Sequence, residues 1–176
     1  MSQRLPYTMR TMVENMAHQN KSIVRFGALA LALLGAASAA GQTQRTPPYW
    51  ASIQKPEARM RTGPSTEFPV TWVYKRQNLP LKVVAVHSVW RKVQDPDGDQ
   101  GWLHVRLLSP KQTAIVIGKG IATLRDTPQA NAHISWRVEP GVVGIIDECE
   151  KGYCRFETNG RYGYIETSRI WGDEAL

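Results

Sequence analysis

The chain has 176 residues, with 22 Lys and Arg against 15 Asp and Glu and a formal net charge of +7. That surplus is mild and no run of Lys or Arg forms a phosphate-tracking stripe, so no nucleic-acid partner is expected. Two cysteines, and four histidines (His18, His87, His104, His133) at no ligand spacing, argue against a zinc site or a Cys-x-x-Cys redox enzyme, so no metal or cofactor is expected.

The first element in the chain is a leader. Lys21 and Arg25 precede an apolar run, residues 26–37, and Ala37-Ser38-Ala39 is a small-residue cleavage signature. The run is too short to span a bilayer comfortably, so a cleaved signal peptide is favoured over a retained anchor. Residues 1–39 are assigned to it, with cleavage after Ala39, a periplasmic or secreted product, and membrane contact only during export. Met9, Met12 and Met16 are alternative starts to Met1, and Met16 gives a leader of ordinary length. Removing Arg4, Arg10, Glu14, Lys21 and Arg25 leaves 18 basic and 14 acidic residues, a net of +4.

Residues 40–50 are polar, contain Pro47-Pro48, and read as a short linker. Beyond them the pattern is that of strands. Leu79, Leu81, Val83 and Ala85 alternate with Pro80, Lys82, Val84 and Val86, a period of two. Trp90-Arg91-Lys92-Val93 follows, then the turn-forming run Asp95-Pro96-Asp97-Gly98-Asp99, then Trp102-Leu103-His104-Val105. The alternating acids faintly suggest a calcium loop, but the twelve-residue spacing and closing Glu are missing, so turn solvation is the better reading.

Ser109-Pro110-Lys111-Gln112 joins this unit to a second, whose first strand is expected at Thr113 to Ile117. Runs at Val142 to Ile146, Tyr153 to Glu157 and Tyr164 to Glu166 follow, with Asn159-Gly160 as a strong hairpin signal. Cys149 and Cys154 flank a four-residue turn segment. An exported chain meets an oxidising compartment, so a hairpin disulfide is expected, the alternative being two free thiols. Pro56, Pro64, Pro69, Pro80, Pro128 and Pro140 interrupt any long helix.

The two units are copies. Ala58-Arg59-Met60-Arg61-Thr62-Gly63-Pro64 returns as Ala122-Thr123-Leu124-Arg125-Asp126-Thr127-Pro128, and Trp72 returns as Trp136. Trp90-Arg91-Lys92-Val93 is echoed by Tyr153-Cys154-Arg155-Phe156, and Gly101-Trp102-Leu103 by Gly163-Tyr164-Ile165. The offset slips from 64 to 63 to 62, as it does when loops lose a residue twice while strands keep register. Such a repeat is too long for a solenoid unit and suits a small domain. The expected fold is all-β: two tandem small β-barrels, residues 51–109 and 113–172, held in a fixed side-by-side arrangement by a short linker. The first repeat carries nine basic and five acidic residues and the second seven of each.

These motifs resemble the bacterial SH3-like (SH3b) domain family, in a tandem exported form similar to proteins of alphaproteobacteria. The family start, Leu-Arg-x-Gly-Pro-Ser, is met by Met60-Arg61-Thr62-Gly63-Pro64-Ser65. Its end, Trp-x-Lys-Val then Gly-x-x-Gly-Trp-Val, is met by Trp90 to Val93 and Gly98 to Leu103. The second unit lacks the glycine before Pro128 and has Tyr153 and Tyr164 where Trp is usual. The resemblance implies a non-catalytic binding module for peptidoglycan or its peptides. The alternative is a periplasmic scaffold that recruits a protein and touches no glycan. No Gly-x-Ser-x-Gly elbow or Cys–His pairing speaks for a hydrolase.

The candidate ligand-binding residues are Arg61, Trp72, Trp90, Trp102, Arg125, Trp136, Tyr153 and Tyr164. Arg61 and Arg125 suit carboxylate recognition or, equally in keeping with a fold signature, hydrogen bonds to loop carbonyls. Trp72 and Trp136 suit a groove or a core. Trp90, Tyr153, Trp102 and Tyr164 either close the barrels or frame an aromatic groove. The first unit, with the fuller motif and more positive charge, is the first place to look.

Overall fold

A computed structural model describes residues 45–173. The leader and its cleavage signature lie outside the described residues. Each repeat forms a seven-stranded antiparallel sheet curled into a small barrel. The first comprises β1 (Tyr49–Ile53), β2 (Ala58–Arg61), β3 (Val70–Tyr74), β4 (Pro80–His87), β5 (Trp90–Gln94), β6 (Gln100–His104) and β7 (Leu108–Ser109), in the order β3-β2-β6-β5-β4-β1-β7. The second comprises β8 (Thr113–Val116), β9 (Ala122–Arg125), β10 (Ile134–Val138), β11 (Val143–Glu150), β12 (Tyr153–Thr158), β13 (Arg161–Glu166) and β14 (Ile170–Trp171), in the order β10-β9-β13-β12-β11-β8-β14. The orders are identical, so the sequence repeat is a repeat of topology. Single turns of 3-10 helix, Val105–Leu107 and Thr167–Arg169, lead into β7 and β14.

Each barrel has its own core. Ile53, Leu81, Val83, Val93 and Leu103 are fully buried in the first, and Phe156, Ile165 and Cys154 in the second, with Leu124 and Val116 nearly so. The alternation read along Leu79 to Ala85 breaks before its end. A register shift between Val83 and Ala85 puts one extra residue into β4, so Ala85 is only half-buried and Val86 packs against the core instead.

The closing glycines have a steric reason. A Cβ on Gly101 would lie 2.5 Å from Met60 Cγ and 2.9 Å from the Arg61 carbonyl oxygen. A Cβ on Gly163 would lie 2.8 Å from Leu124 Cβ and 3.0 Å from the Arg125 carbonyl oxygen. At both places the opening strand crosses the last hairpin too closely for any side chain.

The acidic turn after β5 is a solvated and partly internal structure. Asp95 is buried, and its Oδ1 accepts the backbone N–H of Asp97 (3.1 Å) and of Asp99 (2.9 Å). Its Oδ2 accepts the Tyr74 hydroxyl at 2.9 Å. Both carboxylate oxygens are thus satisfied from within the protein, as a buried acid requires.

Cys149 and Cys154 are register partners in the β11–β12 hairpin and form a disulfide. Its inner sulfur belongs to a fully buried residue, so the bridge also anchors the hairpin in the second core.

The barrels pack against each other. Trp50 of β1 meets Trp171 of β14 edge-on, with ring centroids 4.6 Å apart. Ile115 and Val143, from the second barrel, lie against the core of the first. The Arg76 guanidinium donates to the Gly141 carbonyl across the junction. Gly172 leaves no room for a side chain between Thr113 and Pro80.

Candidate functional site

The arginines of the two opening motifs tie down the loops that follow them. Arg61 Nη1 donates to the carbonyls of Thr66 (2.8 Å) and Phe68 (2.7 Å). Arg125 Nη1 donates to the carbonyl of Ala132 at 2.7 Å. The equivalence ends there, because Arg125 Nε is buried with no acceptor. A guanidinium carries five N–H donors in a planar fork, so each motif arginine keeps further donors beyond its Nη1 contacts.

The aromatic candidates separate into two kinds. Trp90 and Tyr153 are buried, yet neither belongs to the hydrophobic cluster of its barrel. Register explains this. Arg91 pairs with the core residue Leu103, so Trp90 and its partner His104 lie on the opposite, outer face of the sheet. Tyr153 pairs with Glu166 in the same way. Trp90 stacks edge-on against His104 at 5.4 Å and lines a cleft of about 280 Å³ with Arg61, Thr66, Arg106 and Leu107. Burial, with help from Arg106 and Arg91, holds His104 below the ordinary imidazole pKa. Its Nδ1 accepts the Arg106 N–H at 3.2 Å, which suits the neutral ring.

The other four are accessible. Trp72 and Trp136 are 56% and 42% exposed on the outer strands β3 and β10, so neither is a core residue. Trp102 and Tyr164 are half-buried on the outer faces of β6 and β13. Trp102 meets His87 edge-on at 6.4 Å.

The structure brings Arg125, Trp136 and Tyr164 together in one cleft of about 630 Å³ on the second barrel. It adds residues that sequence reasoning passed over: Asp126, Ser135, Arg155, Arg161 and Tyr162. Arg161 lies over the Trp136 ring, 4.4 Å from its centroid, and Arg155 over the Tyr162 ring at 5.2 Å. Arg155 Nη1 also pairs with Asp147 Oδ2 at 2.8 Å. The Asp126 carboxylate accepts the Ser135 hydroxyl and meets His133 Nδ1 at 3.1 Å. Those contacts, Ser135 first, hold its carboxyl below the usual carboxylate range. Partial desolvation, then the charges of Glu148 and Glu150, push the Tyr164 phenol up, so it stays a neutral donor. One available sequence signal was the Asn159-Gly160 turn. It starts β13 at Arg161 and puts Tyr162 and Tyr164 on one face, opposite Glu157 and Arg155.

A further cleft of about 590 Å³ lies between the barrels, with Arg76 and Asn78 on one side and Glu139, Val143 and Asn159 on the other. Among the described residues no group of three or more His, Cys, Asp or Glu is placed to hold a metal ion.

The family profile described as the bacterial SH3 domain matches twice, at residues 54–110 and 118–172. No curated protein matches the chain significantly. Among solved structures, NlpC2 and NlpC1 from Trichomonas vaginalis are each 12% identical with a TM-score of 0.33. The alignments cover 73% of this chain but only 49% and 46% of those chains, so the chain spans about half the length of either.

Proposed function

The chain belongs to the bacterial SH3 domain family, and from that premise we propose that it is an exported, non-catalytic module that binds a component of the bacterial cell wall, peptidoglycan or its peptides. One observation carries the reading. Both barrel interiors are filled by aliphatic and core aromatic side chains, while Trp72, Trp102, Trp136 and Tyr162 remain at the surface beside polar groups. Large aromatics left accessible next to hydrogen-bonding side chains are suited to stacking on sugar rings or peptide planes. The leader read from residues 1–39 supports a periplasmic or secreted location, where such a ligand is within reach.

Co-sedimentation with purified sacculi over a range of salt tests this reading. Retention at high salt, reduced by Trp102→Ala or Trp136→Ala with the β-rich circular dichroism spectrum intact, is the expected result. Retention lost at modest salt indicates that only the net charge is being read.

A second reading has its own support. On the outer strand β3 and the loop before it, Phe68, Val70, Trp72 and Val73 are all at least 39% exposed. An apolar outer strand is a natural seat for another chain. A scaffold role predicts that crosslinking in the periplasm captures one defined protein, lost on Trp72→Ala, while sacculi are ignored.

A further inference from the structure

The two barrels share one topology but differ in chemistry at the same place. Gly163 pairs with Phe156 as Gly101 pairs with Val93, so the registers align residue by residue. On that alignment Arg161 of the second barrel stands where the first has Asp99. Tyr162 stands where it has Gln100, and Arg155 where it has Lys92. One barrel presents an acid at the position where the other presents a stacked guanidinium.

We propose that the cleft on the second barrel, with Arg125 on one side and the Arg161–Trp136 stack on the other, binds a short peptide bearing free carboxylates, and that it is the anion-reading site of this protein. The inference rests on the wall-binding reading and narrows it to one barrel and one ligand chemistry.

Four observations support it. First, Arg161 is exposed, lies 4.4 Å over Trp136, and its N–H donors meet no acceptor among the described residues. Stacking orients the planar fork, so less side-chain freedom is lost when it takes a carboxylate in a bidentate grip. Second, Arg125 lines the same cleft and gives its Nη1 to one loop carbonyl, whereas Arg61 in the first barrel gives its Nη1 to two. Third, three arginines line the cleft, one of them, Arg155, paired with Asp147, against one carboxylate in the lining, Asp126, which is already engaged by Ser135 and His133. Fourth, the cleft continues. Trp136 and Arg161 also wall a neighbouring cleft with Arg137 and Glu139, and Glu139 and Asn159 carry it on to the inter-barrel cleft that Arg76 enters. A track of this kind fits an extended chain better than a single small anion.

The test is a titration of the protein, purified as the cell processes it, with the peptide Ala-γ-Glu-diaminopimelate and with the same peptide fully amidated. Tryptophan fluorescence and calorimetry read the affinity. The free-acid peptide is expected to bind about tenfold or more tightly than the amide. Arg161→Ala and Arg161→Gln are expected to remove that preference, and Lys55→Ala, at an exposed position of the other barrel, to leave it unchanged. Equal affinity for acid and amide overturns the proposal, as does a preference that survives both Arg161 substitutions. So does no binding of either peptide. Sacculi retention that ignores Arg161 sinks this inference while leaving wall binding intact. Peptide binding that needs Arg161 without sacculi retention sinks the wall reading and leaves the carboxylate site standing.

Discussion

Trp50 and Trp171 join the two barrels edge to face, with ring centroids 4.6 Å apart and planes at 86°. One ring comes from the first strand of the first barrel and the other from the last strand of the second. Two units of this size each have a core near the lower limit for independent stability, and a shared aromatic contact adds burial that neither unit has alone. Trp171→Ala is therefore expected to cost about 1–3 kcal/mol. A calorimetric trace that changes from one transition to two, with the second barrel melting first, is the expected readout. An unchanged single transition would show that the rings merely touch.

Tyr74 predicts an alkaline signature. Burial, then the Asp95 hydrogen bond and the neighbouring acidic charges, raises the folded-state phenol well above its ordinary value of 10.0. The folded protein therefore holds a proton that the unfolded chain gives up. Stability is fully present below pH 10 and falls as pH rises above it, by up to about 1.4 kcal/mol per pH unit. Urea midpoints measured from pH 8 to 11 should show this slope in the native chain and lose the Tyr74 share of it in Tyr74→Phe. At neutral pH the same substitution is expected to cost about 1–3 kcal/mol, because Asp95 loses a buried donor.

Gly101 and Gly163 make a paired prediction. Alanine at either position overlaps the opening strand, and the expected loss is about 1–3 kcal/mol. Both meet a backbone carbonyl, so the difference rests on the side-chain contact: Gly163→Ala should be the worse because Leu124 Cβ is fixed to its backbone, whereas the Met60 Cγ and Sδ facing Gly101 can rotate. Thermal melts of the two variants settle the order.

The disulfide closes a short loop, with a sequence separation of 5. The chain-entropy relation gives about 2 kcal/mol for so small a loop. The double variant Cys149→Ala, Cys154→Ala should lower the urea midpoint of the second barrel by that much and leave the first barrel unaffected. Full reaction of both thiols in protein isolated under non-reducing conditions would instead mean that the bridge does not form.

Much of this molecule was legible in one dimension. Repeated glycines, prolines and aromatics at slipping offsets announced two copies of one small β unit, because strands must keep register while loops need not. The spacing of Cys149 and Cys154 made a hairpin bridge the expected state, with two free thiols as the alternative. The phase of β4 past Val83 was not legible, since a bulge costs one residue and leaves no mark in hydrophobicity. Nor was the environment of Trp90. Its burial depends on which loop folds over the outer face, and a pattern of alternation carries only which face.

The sequence by itself determined the fold class and the duplication, because those follow from local spacing and periodicity, and it left the bridge as one of two alternatives. Only the tertiary structure decided what surrounds each arginine. Arg61 and Arg125 occupy one motif position, yet one gives its Nη1 to two loop carbonyls and the other keeps a buried N–H unmet. Arg161 gained its setting from a ring 25 positions earlier in the chain. Hydrogen-bond satisfaction is a property of what surrounds a group in space, and proximity in the chain does not report it.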